Sequence, residues 1–558
     1  MKFLKGASFE RVVAIAAALV MVAAMVSCSG SPKPSDSETS QTATDEQSTE
    51  ATESGGTAAE PTGATGSAAS TNKGANNTTT ANKTTAGRIT NQGGGKGTLP
   101  ASYDTSGQVK DLKGRKIVLQ QYNDIEVGPN DKHRQRINAK IKQIEKEYNC
   151  KIEIYYNNSS NEDENAVTLK TSILSGKPIV DITMTHFKTW LQLYVAGMIQ
   201  ELDRLKAINF YDKTKFGTPQ GDMENPLNEI MIVNGKRYGI RLVNGGLHSS
   251  VQFDYMMFYR YDVLKKSGVP DSLMPDTLVQ NNQWTWENFE KILKIVKDAD
   301  MTGVYDAPID TGGQSVNLYQ LMCYTYGGDF IYQDPKTNKV TFNGGSQASL
   351  NALNLYKSLV SKGYVEAPTP QQYNSNPKNA AYVDTVAFMP GIVACAKWFW
   401  PRWGTNASKA NWAMTYLPKI KASDSYTVVS TKFAEGFSAI PYGVSKPAEV
   451  ATIMQALAPL DTDYAAQKNE FIMDYQTWLP SNSAAAASTL RILKEVNEIS
   501  YTSKQKYTVT DYALGPGVFN DWLEQVHKIA TNQAEAGPII AAVTNSYNER
   551  LKNLYTIR

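Results

Sequence analysis

Hydrophobic residues fall into three regimes along the chain. An unbroken apolar run extends from Val12 to Val26, behind Lys2, Lys5 and Arg11. It has the length of a secretory leader's core and is too short to span a membrane in the mature protein. From Ser29 to about Pro100 large apolar residues almost vanish, and Ser, Thr, Gly, Ala and Asn take over. Such a segment buries too little surface to offset its ordering entropy, so 28–110 reads as a disordered linker. A flexible stretch of about 70 residues reaches roughly 50 Å. From about 111 onward apolar clusters return with regular spacing.

That spacing alternates between two periods. Ile117-Val118-Leu119 is a short apolar run, as in a buried parallel strand, and it ends at Gln121-Tyr122-Asn123-Asp124. Ile137, Ile141, Ile144 and Tyr148 recur at helical steps, predicting a helix over about 132–148 that Asp131 is placed to cap. Ile152 and Ile154 mark a second strand, and Ala166, Leu169 and Ile173 a helix over about 163–174. Ile179 to Met184 reads as a third strand, ending at Thr185-His186-Phe187, and a helix presenting Leu191, Tyr194, Val195 and Met198 follows. Strand alternating with helix predicts βαβ units and a mostly parallel sheet, an α/β fold. Ligands of such sheets sit beyond the carboxyl ends of the strands, which makes Tyr122, Asn123, Asp124 and His186 candidate ligand contacts.

Further along, Thr285 precedes a helix with Trp286, Phe289, Leu293 and Val296 on one face. Trp286 therefore reads as core, whereas Trp284, before the cap, is freer to face a cleft. Trp398, Trp400 and Trp403, broken by Pro401 and Gly404, fit neither a clean strand nor a clean helix. Sugars present flat C–H faces that stack on aromatic rings, and a tryptophan cluster in a loop supplies such rings. An aromatic lobe core is the competing reading. Asp329 follows Gly327-Gly328, a pair able to bring backbone close to a ligand. Trp522, Val526 and Ile529 share a face in the terminal helices predicted over 517–554.

Composition narrows the function by exclusion. The formal net charge is +2, and Lys2, Lys5 and Arg11 against Glu10 account for that excess. A near-neutral mature chain is a poor phosphate-backbone binder, so nucleic acid is not the expected partner. Cys150, Cys323 and Cys395 are widely scattered and show no metal-ligand spacing. They read as buried small hydrophobes, with a disulfide between one pair left open. The histidines His133, His186, His248 and His527 form no metal motif. There is no G-x-S-x-G elbow, and the glycine run at 93–97 lacks the setting of a phosphate loop. No enzyme activity, metal or cofactor is expected.

Two resemblances add to this reading. Met25-Val26-Ser27-Cys28, closing the leader, resembles the bacterial lipobox. It implies cleavage after residue 27 and a lipid-bearing Cys28 holding the protein on the extracytoplasmic face of the cell membrane, palmitate being one of its chains. In the body, Gly176-Lys177-Pro178 with Asp181 and Ala196-Gly197-Met198-Ile199 come first. There follow Gly235-Lys236-Arg237-Tyr238-Gly239-Ile240, Tyr259 to Val269, Trp284 to Phe289, Val386 to Trp400, and Gly436 to Pro447. In that order they resemble the extracellular solute-binding proteins of family 1, the maltose-binding-like receptors. Arg241 stands where that family usually has proline.

The family implies a two-lobed, type II periplasmic-binding-protein-like fold with hinge strands near 245–258, 430–440 and 480–488. Lobe one would take 112–250 and 439–485, and lobe two 251–438 and the C-terminal helices 486–558. It implies that Trp398, Trp400 and, third, Trp403 line the cleft. The expected function is a monomeric, lipid-anchored receptor delivering a solute, a mono- or oligosaccharide, to the permease subunits of an ABC importer. The alternatives are a surface glycan-capture or sensor protein of the same fold without transport, and a glycan hydrolase.

Overall fold

The computed structural model describes residues 104–121, 132–156, 162–216, 228, 231–233, 235–242, 254–306, 318–328, 330–333, 340–366, 385–393, 412–430, 437–458, 462–477, 479, 483–499, 505–507 and 516–556. The leader, Cys28, Asp131 and Cys395 lie outside these residues, as does the linker up to 103. The body begins before the predicted boundary at 110. Gly107 N–H donates to the Lys206 carbonyl, Val109 N–H to the Thr452 hydroxyl at 3.2 Å, and Lys206 pairs with Asp104 at 2.8 Å. Hydrogen bonds and an ion pair fix this segment although it has few apolar residues, which is why hydropathy alone ran the linker too far.

The first sheet starts as the alternation predicts. β1 (Arg115–Gln121) lies parallel to β2 (Cys150–Tyr156), and an isolated parallel bridge, Leu119 to Ile182, leads on to β3 (Thr183–Thr185). The helix Lys132–Glu147 buries Ile137 and Ile144 against Ile117, Leu119 and Ile152. A small hairpin, β4 (Ile232–Val233) with β5 (Lys236–Arg237), precedes β6 (Ile240–Arg241). The helix Phe187–Val195 buries Phe187, Trp190, Leu193 and Tyr194. This corrects the predicted stripe, because Leu191 and Val195 are only half-buried and Met198 follows the helix. The ring ladder Phe187–Trp190–Tyr194, with centroids 5.5 and 5.7 Å apart, sets the helix's rotation instead.

The second sheet is built on β7 (Asp254–Arg260), a seven-residue strand buried throughout. The chain continues through β8 (Thr302–Tyr305), a hairpin of β9 (Ile331–Gln333) with β10 (Val340–Phe342), and β11 (Val365–Glu366). Then come β12 (Val386–Ile392), β13 (Trp412–Thr415) and β14 (Val428–Ser430). β15 (Phe437–Ala439) returns to the first sheet, antiparallel between β3 and β6, and β16 (Gln505–Tyr507) closes the second. The second sheet runs β11-β8-β12-β7-β14-β16, with β13 beside β14 on the same edge of β7. Phe437 and Ser438, predicted in lobe two, therefore already belong to the first sheet.

Helices cover both sheets. Trp286–Asp298 starts where predicted, with the Thr285 hydroxyl accepting from Asn288 N–H, and buries Phe289, Leu293 and Val296. Trp522, Val526 and Ile529 of the helix Pro516–Ala530 are buried, as their spacing predicts. Cys150 and Cys323 are buried, as small hydrophobes are.

Two sequence motifs 269 residues apart meet in the first lobe. The Arg115 guanidinium donates to Glu449 at 2.7 Å, to the Ser445 carbonyl at 2.7 Å and to Asp181 at 3.4 Å. Asp181 also accepts from Val118 N–H at 2.8 Å. Gly443 holds a φ of +86°, and a side chain there would meet the Pro178 ring at 3.3 Å. The Gly176-Lys177-Pro178 turn and the Ser445-Lys446-Pro447 helix start thus clamp the returning chain onto β1. Burial pushes the Glu449 carboxyl up, but hydrogen bonds from Arg115 and Lys446 outweigh it and hold it below its ordinary value.

Arg115→Met is expected to lower unfolding stability by about 2 kcal/mol, measured by urea denaturation at neutral pH. Glu449 is more acidic folded than unfolded, so its contribution is present above the unfolded carboxylate range and is lost as pH falls through the folded value. The cost of the substitution should therefore shrink in acid. A cost that stays constant down to about pH 3 would remove the ion pair from the account.

Candidate functional site

Strand direction locates the site. β1, β3 and β6 run parallel in the first sheet, so Gln121, Thr185 and Arg241 end at one edge. β15 enters at that edge, with Phe437 paired to both Thr185 and Arg241. In the second sheet β7 begins at Asp254, and its antiparallel neighbours β12 and β14 end beside it, Val393 N–H donating to the Asp254 carbonyl at 2.9 Å. β8 and β11 run parallel to β12 and end at Tyr305 and Glu366 on the same side. The chain passes between the sheets in 242–253 and again in 431–436; the second lies inside the predicted range 430–440, and the first only overlaps 245–258, whose end belongs to β7. Both crossings leave from carboxyl edges, so the carboxyl ends of both sets of parallel strands border the crossings. In open α/β sheets this is where ligands bind.

His186 directly follows β3 and occupies the N-cap position of the helix Phe187–Val195, without a side-chain cap bond. It is 7% exposed, and burial together with the nearby Lys188 charge pushes its imidazole down to about 3. At neutral pH it therefore presents a neutral ring able to donate at one nitrogen and accept at the other. Arg241 and Asp254, on the two sides of the first crossing, are buried charges, and Arg241 N–H donates to the Asn228 side chain at 2.8 Å.

Asp306 directly follows β8 and is wholly buried. Its carboxylate accepts from Leu318 N–H and from the Tyr356 hydroxyl, each at 2.6 Å. Burial outweighs these two bonds and pushes its carboxyl up to about 7. Arg241 registered in the sequence only as a departure from proline, and Asp254 and Asp306 not at all. Their one signal was a charge abutting a continuous apolar strand, Asp254 before Tyr255 to Tyr259 and Asp306 after Gly303 to Tyr305.

Of the sequence-predicted contacts, only His186 is placed at this edge among the described residues. Tyr122, Asn123, Asp124, Asp329, Trp398, Trp400 and Trp403 lie outside them. Trp284 is corrected to core. It is fully buried, stacks on Phe388 and meets Phe289 edge-on, and its indole N–H donates to the Tyr416 carbonyl at 2.6 Å. The reason is a bridge the sequence did not reveal. Lys419 N–H donates to the Trp284 carbonyl and Trp286 N–H to the Lys419 carbonyl, which turns the residue before the cap inward. Among the described residues no group of three or more His, Cys, Asp or Glu could hold a metal ion, and no helix is long and apolar enough to cross a membrane.

No family model and no curated protein matches the sequence. The architecture does match solved structures. The cyclic α-maltosyl-1,6-maltose binding protein of Arthrobacter globiformis superposes with a TM-score of 0.53 at 13% identity, covering 79% of this chain and 100% of that one. The sugar-binding protein MalE of the phytopathogen Xanthomonas citri gives a TM-score of 0.50 at 13% identity, covering 79% and 97%. At such identity the likeness is one of fold. The chain has the two-lobed α/β fold of the maltose-binding-like receptors.

Two measurements follow from this geometry. Asp306→Asn keeps an acceptor for Leu318 N–H without the cost of a buried charge. The folded parent holds its Asp306 proton to a higher pH than the unfolded chain does. Its stability therefore falls as pH rises from the unfolded carboxylate range to about 7 and is flat above. The variant should gain on the order of 1 kcal/mol at pH 8 and lose that slope, as read from thermal melts across pH. Trp284→Ala should cost about 3–5 kcal/mol, as a core truncation does.

Proposed function

We propose that the chain is a lipid-anchored, extracytoplasmic solute-binding receptor that captures a carbohydrate between its lobes and hands it to the permease of an ABC importer. The observation that carries the reading is the meeting of carboxyl strand ends from both sheets at the chain crossings, in a fold shared with two proteins described as sugar-binding. A ligand there touches both lobes, so binding favours their closure about the crossings.

The chemistry at the edge fits a neutral polyol. The His186 imidazole, directly after β3, is uncharged at neutral pH and so adds no positive charge to this edge. The Trp398, Trp400 and Trp403 segment lies in the connection that leaves the carboxyl end of β12 for β13, and supplies rings for the sugar's C–H faces. The lipobox-like Met25–Cys28 supports the anchor, and two acyl chains hold a protein stably where one does not. The receptor is expected to act as a monomer and without a cofactor.

A thermal-shift screen of the chain from residue 29 against mono- and oligosaccharides tests the reading. A ligand at 100 times its Kd should stabilise the protein by about 2.7 kcal/mol. Trp400→Ala should weaken binding of the identified sugar about tenfold while leaving the melting temperature of the free protein nearly unchanged. Silence across sugars with a shift from peptides or other solutes would overturn the carbohydrate. Unchanged affinity in the variant would put the ligand away from the tryptophan segment.

A further inference from the structure

Away from the lobe crossings, one interior region of the second lobe gathers polar atoms that the protein itself does not satisfy. The helix Ser483–Ile499 lies along β13, its Thr489 hydroxyl accepting from Met414 N–H at 3.1 Å. On its inner face Ser488 is 5% exposed and its hydroxyl has no hydrogen-bond partner. One turn on, Arg491 bonds Glu495 through Nη1 at 2.9 Å, while its Nε and Nη2 edge is buried and unbonded. Facing them, Tyr259 of β7 is fully buried. Its hydroxyl lies against Ser488 off the geometry of a full hydrogen bond, within reach of the charges of Asp276 and Arg491.

Asp276 belongs to the short helix Pro275–Gln280, which also contacts β13, and its Oδ1 is buried without a partner. Thr415, opposite Met257 and so on the same sheet face as Tyr259, adds a further unbonded buried hydroxyl. No ion pair joins Asp276 to Arg491 directly, and the charge of each acts on the Tyr259 hydroxyl.

Left dry, this arrangement would be expensive. Each buried polar atom left without a partner keeps the full cost of having lost its water. A site-sized group must complete it, and the charges say which kind. The Nε–Nη2 edge of an arginine matches a carboxylate or phosphate, but the Asp276 and Glu495 carboxylates stand beside it and would repel an anion. A cation is opposed by the guanidinium. A neutral molecule that both donates and accepts meets every requirement, and water does so when two to four polar partners surround it.

We infer that Asp276, Tyr259, Ser488 and Arg491 form an internal hydration site, whose bound water turns Asp276 and Arg491 into a water-bridged ion pair. The bridge ties the helix Ser483–Ile499 to the helix Pro275–Gln280 across β7 and β13. It therefore fixes the segment that follows the chain's return from the first lobe onto the second. Water-mediated bonds are nearly as favourable as direct ones, so a wet joint here is not a weak one.

A crystal structure of the mature chain, at a resolution that resolves ordered solvent, tests this. At least one water should lie within hydrogen-bond distance of two or more of Asp276 Oδ1, Arg491 Nε, Arg491 Nη2, Tyr259 Oη and Ser488 Oγ. A direct Asp276–Arg491 ion pair with a Tyr259–Ser488 hydrogen bond, or an anion seated on the Arg491 edge, would overturn the inference. In solution, water-¹⁷O relaxation dispersion counts long-lived internal waters. Ser488→Val should lower the count, and Tyr259→Phe should shorten the residence time of those that remain. A count and residence time unmoved by both variants would also overturn it.

Discussion

Two antiparallel strand pairs hold the molecule's plan together. In the first sheet Arg241 of β6 lies beside Phe437 of β15, and in the second Asp254 of β7 lies beside Ser430 of β14. The chain leaves the first sheet from one member of each pair and returns through the other. Register thus makes the two crossings neighbours at both ends. Because β15 is antiparallel to its partners, the returning chain enters at the carboxyl edge from which the outgoing chain departed. One topological fact then fixes the rest: the parallel strands of both lobes end at the crossings, and any ligand caught there meets both lobes.

The lobes are built to different degrees of tightness around that plan. The second sheet is enclosed on both faces, and β7 and β12 are buried along their whole lengths. Its core is held by interlocking rings, with Phe388 at the centre of Trp284, Phe289 and Tyr259. The first sheet depends more on polar clamps. Arg115 gathers Asp181, Ser445 and Glu449, so the return of the chain after β15 is secured by charge-assisted bonds where the apolar surface is smaller. Arg136 and Glu470 add a two-armed ion pair between the helix Lys132–Glu147 and the helix Tyr464–Gln476, at 3.0 Å in each arm.

Charge is handled alike at the crossings and in the interior of the second lobe. His186 is kept neutral by burial, and the carboxyl of Asp306 is pushed to about 7 against two donors. Tyr259, Asp276, Ser488 and Arg491 sit where no single protein group answers them all. Each case places a polar group where the surrounding apolar packing sets its protonation or its need for a partner.

Periodicity was enough for what depends on neighbours in sequence. The helix over Lys132–Glu147, the Thr285 cap, the face of Trp522, Val526 and Ile529 and the α/β alternation were all legible, because spacing and capping act within a few turns. The ordered series of short motifs pointed to the two-lobed fold that the architecture has. Contacts between distant segments were not legible. Trp284 turned inward because Lys419 bridges its backbone, the linker ended early because Gly107 and Val109 found partners near Lys206 and Thr452, and the helix after β3 rotated to stack its rings. Asp254 and Asp306 gave only the faint signal of a charge beside an apolar run. Local spacing set which segments are strands and helices and how they follow one another. Which residues share an edge, which charges are buried and which ring faces the core were set by strand register and by packing between segments far apart in the chain.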